Sequence, residues 1–310
     1  MTEWTPSLHH FLTRRDDYYA MSTVIPPPPS AQRHPVTATG TVMGLATLLL
    51  MLGALAVRGG AAFGIVVLAA IFIPLEKLFA LHPRRVLRAG WRTDVVHFIV
   101  NNILTTIGVV VGVVIAGRGV RALVPVAWRS AIASWPGALQ FFVAIVLTEL
   151  CGYWAHRATH RVPLLWRFHK VHHSIAEMDW LAAARLHPID QAFTRSCVVL
   201  PLFALGFSRA TFGAYLVVST FQAIFVHANV RFRFGSLRYV VGTPEYHHWH
   251  HANEPVAYNS NFAGYPIVDK LFGTLYLPER WPSRYGIDDA APSGYLHQLA
   301  WPFRREPRGI

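Results

Sequence analysis

Eleven of the 17 histidines of this 310-residue chain fall between positions 156 and 251. Their spacing is what gives them chemistry. His156 and His160 stand four apart. His169, His172 and His173 form H-x-x-H-H, and His247, His250 and His251 repeat that pattern with His248 inserted. His187 and His227 stand singly between the boxes. On a helix, residues three and four apart share a face. Each box therefore points two or three imidazoles one way from a stiff backbone. Imidazole suits Fe, Zn, Cu and Ni. One ion takes roughly four to six donors, so eight to ten imidazoles fit two ions. A lone His is most often a satisfied core or surface residue; three clusters in one stretch are not explained that way.

Other donors are scarce around the boxes. Glu149 lies two helical turns before His156 on the same face, and Asp190 and Glu245 sit beside candidate ligands. Each is a candidate acceptor for the second N–H of a ligating imidazole. There is no H-E-x-x-H, which disfavours a zincin-type peptidase. The paired E-x-x-H motifs of carboxylate-bridged di-iron bundles are also missing. The two cysteines, Cys151 and Cys197, sit in apolar stretches and read as buried thiols rather than a disulfide framework or a zinc site. The expected centre is nearly all nitrogen.

The elements that must carry these boxes are membrane helices. Hydrophobic residues make up 53% of the chain and charged residues 14%, well short of the roughly 25% of soluble domains. Mean hydropathy is +0.32 and the pI near 10.2. Nucleic acid would explain the +12 charge but not long apolar runs; anionic lipid headgroups explain both. Apolar runs occur at 41–57, 61–75, 95–116 and 137–155. A span needs about 20 apolar residues. The last two runs meet that length, and the first two, slightly short, read as a hairpin turned at Arg58-Gly59-Gly60. Runs 196–207 and 210–226, split by Ser208-Arg209, form a further short hairpin, spanning or re-entrant. Arg84, Arg85, Arg88 and Arg92 place the loop after the second run in the cytoplasm by the positive-inside rule. The boxes fall on the same side, although Arg118, Arg121 and Arg129 weaken the bias.

The fold expected is an all-α integral membrane protein: about four transmembrane helices plus a short hairpin, with a cytosolic helical cap carrying the boxes. Its parts are a tail at 1–38, transmembrane helices over 39–135, a histidine-box catalytic domain over 136–280 and a C-terminal tail at 281–310. Trp166, Trp180 and Trp249 are expected as interfacial anchors or pocket walls. His97, Asn101 and Asn102, polar inside a run, are expected to line a cavity or bond between helices.

Segment 153–160, YWAHRATH, resembles the first histidine box of the fatty acid hydroxylase/sterol desaturase superfamily, and 165–174, LWRFHKVHHS, resembles the second. Arg185-Leu186-His187-Pro188 is similar to a single His-Pro that follows in that family. His227-Ala228-Asn229 is similar to the His closing its next hairpin, and 243–251, TPEYHHWHH, to its third box. Asn259 to Asn261 and the 269–274 stretch DKLFGT complete the likeness, which covers about 145–277. The resemblance implies a membrane non-haem di-iron enzyme that uses O2 and two electrons to hydroxylate or desaturate a lipid. It implies the ligands His156, His160, His169, His172, His173, His187, His227, His247, His250 and His251, with His248 outside the set. Some branches carry a further His where this chain has Arg231. The implied metal is iron, with zinc a possible occupant of a purified sample. Electrons come from a ferredoxin or a cytochrome b5-type protein with its reductase, since the chain has no CxxC cluster, flavin fingerprint or haem box. Arg157, Arg161, Arg167 and Lys170 are candidate docking charges for such a donor or for lipid phosphates. Apart from the resemblance, only three of the 28 basic residues are Lys, an Arg bias that fits a GC-rich genome, so the setting expected is a bacterial inner membrane, with no nucleic-acid partner. Sterol, fatty acyl, sphingoid, ether-lipid and carotenoid substrates all fit these motifs. A membrane metal transporter and a zinc-dependent lipid hydrolase are the alternative readings.

Overall fold

The computed structural model describes residues 61–83 and 86–304. The expected tail at 1–38, the run at 41–57, its turn at Arg58 to Gly60, Arg84, Arg85 and residues 305–310 lie outside them. The described residues are helical, with no strand beyond isolated bridges between Ala80 and Val230 and between Ala252 and Tyr285.

Helix α1 (Ala61–Phe79) buries Leu68, Phe72 and Leu75 against Trp180, Leu181, Phe225 and Phe232. Helix α2 (Trp91–Gly112) continues through a π-helical turn (Val113–Gly117) into α3 (Arg118–Leu123). After α4 (Val126–Ala133) comes α5 (Gly137–Arg161), then α6 (Pro163–His173). A 3-10 turn (Trp180–Ala184) leads to the hairpin of α7 (Pro188–Leu205) and α8 (Arg209–Phe225). Short helices α9 (Pro244–His250), α10 (Pro266–Leu271) and α11 (Tyr295–Ala300) close the chain. Helix α7 starts eight residues earlier than its apolar run, because Pro188 at its first position and His187 before it begin the helix while its first turns are still polar.

Two stretches, Trp91–Leu123 and Gly137–Arg161, are long and apolar enough to cross a membrane. Their outer faces are apolar and open: Ile103, Ile115 and Leu123 are 61, 75 and 82% exposed, and Phe142 65%. Hydrocarbon, not water, suits such a surface. Helix α7 packs against both stretches. A Cβ at Gly108 would stand 2.7 Å from Ala192 Cβ, and one at Gly112 2.9 Å from Ser196 Oγ. Small residues there let the helix backbones approach closely.

Candidate metal centre

Three helices deliver their C-terminal turns to one place. His156 and His160 end α5, His169, His172 and His173 end α6, and His247 and His250 end α9 with His251 as its C-cap. His227 follows the end of α8 by two residues. Helix C-termini carry partial negative charge, so four of them together favour a cation. Pro163 and Pro244 fix the first turns of α6 and α9, and with them the register of the histidines.

The imidazoles form two groups. Ring nitrogens of His156, His160, His169, His173 and His250 lie within 4.8 Å of one another, and those of His172, His227, His247 and His251 do the same. The groups abut, with the His173 and His251 rings stacked at 4.6 Å. The expectation that each box points its imidazoles one way holds for His156 and His160 and is corrected for the two H-x-x-H-H boxes. Positions four apart on a helix differ by about 40°, adjacent ones by about 100°. His169 and His173 therefore join the five-imidazole group while His172 turns to the other. His247 and His251 join the four-imidazole group while His250 crosses to the first. Each H-x-x-H-H box serves both groups.

Hydrogen bonds fix the tautomers. Nδ1 of His156 faces the Phe262 carbonyl (2.6 Å), and Nδ1 of His250 that of Ser260 (3.0 Å). Nδ1 of His172 faces the Arg185 carbonyl (3.0 Å), and Nδ1 of His227 that of Ala223 (2.6 Å). Nδ1 of His169 faces Asp190 Oδ2 (3.0 Å). A carbonyl or carboxylate only accepts, so each Nδ1 carries the proton and each Nε2 a lone pair. Yet Nε2 of His156 and His169 stand 3.1 Å apart, and Nε2 of His172 and His227 3.2 Å apart. Two lone pairs aimed at each other repel unless a cation sits between them. His160 Nε2, His173 Nε2, His250 Nε2 and His251 Nδ1 are buried with no partner. Burial, then the neighbouring imidazoles, holds His172, His173, His247, His250 and His251 well below the usual pKa; burial takes His227 down to about 4. Neutral imidazoles at pH 7 are ligands. The donor set fits two transition-metal ions.

His187 enters neither group. Its Nδ1 accepts the Ile189 N–H (3.1 Å) as the N-cap of α7, and its Nε2 donates to the Leu299 carbonyl (3.1 Å). His248 is fully buried between Tyr285 Oη (2.9 Å) and the Ala228 carbonyl (3.2 Å). Of the three carboxylates, Asp190 alone meets an imidazole among the described residues. Glu149 instead accepts from the Tyr265 N–H (3.0 Å), and Glu245 from Arg233 (2.8 Å). Trp166 lies 5.3 Å from His160 and 5.5 Å from His173, walling the five-imidazole group. Trp180 and Trp249 are core residues, 7 and 0% exposed, not interfacial anchors. Lys170 is buried, pairing with Asp289 (3.2 Å) and packing over Trp301, so it is no docking charge. Arg157 donates to Tyr153 Oη (2.9 Å), and Arg167 to the Arg304 carbonyl (2.9 Å). His97 and Asn101 are buried and bond to Gln298 and Tyr295 of α11 and to the Leu186 carbonyl, while Asn102 is exposed.

The loop behind the five-imidazole group was not legible as a functional element. Asn261 sits at φ 60°, where Asn is among the few tolerated side chains. Its amide donates to the Tyr246 and Tyr276 carbonyls (3.1 and 2.7 Å) and accepts from the Tyr276 N–H (2.8 Å). Asp269 accepts from the Phe262 and Ala263 N–H groups (both 2.8 Å), Thr274 Oγ1 (2.6 Å) and the Tyr246 hydroxyl. These two residues hold the Ser260 and Phe262 carbonyls in place. Both belong to motifs that the sequence offered, but any residue type presents a carbonyl, so the outer partners themselves leave no sequence signal.

Residues 141–274 match the fatty acid hydroxylase family. The chain is 36% identical over 176 residues to the ornithine lipid hydroxylase OlsE of Rhizobium tropici, covering 56% of this chain and 53% of that protein. It is 30% identical over 154 residues to the alkylglycerol monooxygenase of Danio rerio, covering 49% and 34%. It is 28% identical over 149 residues to a Delta(7)-sterol 5(6)-desaturase of Gibberella zeae, covering 47% and 40%. The chain thus spans from about a third to about half of the length of these relatives. No solved structure matches.

Proposed function

From the match of residues 141–274 to the fatty acid hydroxylase family, we propose that the chain is a membrane-bound non-haem di-iron oxygenase acting on a lipid. The observation that carries this reading is the two groups of clustered imidazoles whose Nε2 atoms are turned on one another. His156, His160, His169, His173 and His250 hold one iron; His172, His227, His247 and His251 hold the other. Bound iron supplies, with O2 and two external electrons, the oxidising power that no side chain has.

The rest is the work of this chain. Carbonyls of Phe262, Ser260, Arg185 and Ala223 keep five rings, with Asp190, in the tautomer that presents Nε2. Trp166 and Phe262, whose rings lie 5.3 and 5.2 Å from that of His160, exclude water from the five-imidazole site. The apolar faces of α2 and α5 deliver a lipid from the bilayer. The catalytic domain is residues 136–280, in a multi-pass fold of about four spans, with the boxes at the cytoplasmic face of a bacterial inner membrane. The electron donor is a separate ferredoxin or cytochrome b5-type protein. The relatives named as hydroxylase and monooxygenase favour insertion of oxygen over desaturation.

The test is lipid analysis of cells with and without the gene under 18O2. A product gaining one labelled oxygen is expected; loss of two hydrogens would make the enzyme a desaturase. Purified protein should hold two irons, and His172→Ala should end turnover. Retained turnover in that variant would overturn the site. Zinc with O2-independent lipid cleavage would favour the hydrolase, and loosely exchanging metal the transporter.

A further inference from the structure

Six residues, Arg185 to Asp190, touch both imidazole groups. At one end the Arg185 carbonyl accepts from His172 of the four-imidazole group (3.0 Å). At the other, Asp190 Oδ2 accepts from His169 of the five-imidazole group (3.0 Å), while Asp190 Oδ1 is buried with no partner. The segment between is gripped on every side. The Leu186 carbonyl accepts from Asn101 (2.6 Å) and lies 3.1 Å from His97 Nδ1. His187 is tied to the Ile189 N–H and the Leu299 carbonyl (both 3.1 Å). The Arg185 guanidinium donates to both oxygens of Asp94 (2.6 and 2.9 Å).

Asp94 is fully buried and also takes Arg88 (2.7 Å), which pairs in turn with Asp179 (2.7 Å). Gly90, at φ 83°, begins α2 so close to Arg185 that a Cβ there would stand 2.9 Å from Nη2. Asp94, His97 and Asn101 are spaced three and four apart, on one face of α2. A membrane-crossing helix thus clasps the segment from which one imidazole of each group takes its orientation.

We propose that Arg185–Asp190 is a brace shared by the two metal sites, with Asp190 a positioning residue for His169 and Asp94, through Arg185, a positioning residue for His172. This rests on the metal-binding reading above. Outer partners of ligating histidines fix ring direction and donor strength, and losing one costs about 10- to 100-fold in metal affinity. Asp190 acts by direct contact. Asp94 acts at one remove: its two-point grip on the guanidinium fixes the backbone whose carbonyl holds His172.

The experiment titrates Co(II) into metal-stripped full-length protein in detergent, following the visible spectrum and bound metal. Wild type should take up two Co(II) per chain. Each variant is also made in His227→Ala, which leaves the five-imidazole site, and in His160→Ala, which leaves the four-imidazole site. Asp190→Asn should weaken Co(II) about 10- to 100-fold in the first background and hardly at all in the second. Asp94→Asn should do the reverse. A role confined to general stability would weaken both sites alike, and that result overturns the proposal. So does wild-type affinity in both variants. If Asp94→Asn does not fold, Asn101→Leu, which loosens the grip on Leu186 without unpairing a charge, must show the same site selectivity. Wild type taking up no Co(II) would sink the metal reading itself, a separate outcome.

Discussion

The two imidazole groups lie ring against ring, yet they are held by different kinds of structure. The five-imidazole group takes two outer partners from a loop about 100 residues downstream of α5, the Ser260 and Phe262 carbonyls, and a third from the Asp190 carboxylate. The four-imidazole group takes its two from the Arg185 carbonyl and from Ala223, four residues before His227. It has no anionic outer partner among the described residues. One site thus depends on long-range loop structure and one full charge, the other on a helix end and the shared brace. An anion behind an imidazole strengthens it as a donor, and five donors exceed four. The five-imidazole site should therefore fill first and empty last.

Removing a ligand from either group gives the largest effect. His160→Ala should abolish the tighter binding step and His227→Ala the weaker one, seen as the loss of one metal per chain by elemental analysis. Turnover should fall by more than the roughly 100-fold that an outer partner commands. If both variants lose the same step, the division into two sites is wrong.

Asp269→Ala sharpens the contrast at a distance. It touches no imidazole but anchors the loop behind the five-imidazole group. Two buried N–H donors and two hydroxyls lose their acceptor, at about 1–3 kcal/mol for each left unpaired. A destabilisation of at least about 3 kcal/mol is expected in thermal melts, with metal lost from the five-imidazole site about 10-fold more readily. Equal loss from both sites would erase the distinction between them.

How much of this was readable beforehand follows from what a spacing can encode. The boxes, the two crossing stretches and Asp190 were legible because their residue types and intervals are the signal. The splitting of the two H-x-x-H-H boxes was not legible, because three- and four-residue spacings read as one face while the rotation between adjacent residues separates them. Carbonyl partners carry no residue identity. Trp180 and Trp249 were misplaced because an aromatic near a polar box reads equally as core or interface until its neighbours, Phe72 and Tyr276, are known.

Asn261→Ala and Asn261→Gly test whether loop geometry alone feeds the five-imidazole site. Both lose the amide bonds to Tyr246 and Tyr276. Only alanine also bears the left-handed backbone at φ 60°, worth roughly 1–2 kcal/mol. Alanine should melt lower than glycine by about that amount, while both weaken Co(II) at the five-imidazole site alone. Identical melts would mean the loop relaxes.

The smallest effect expected is at His187, and it bears most directly on reading histidines as ligands. Its place before a helix-starting proline is an N-cap signal that the His-Pro likeness overshadowed. Both ring nitrogens are already engaged, one accepting from Ile189 and one donating to Leu299. A ligand would have to surrender one of those bonds. His187→Ala should therefore cost the roughly 0.5–2 kcal/mol of a lost cap and keep two metals per chain. His187→Asn, which restores the cap acceptor, should recover most of that stability. A single missing metal in His187→Ala, with the melt otherwise near wild type, would return His187 to the ligand set and unbalance the five-against-four comparison.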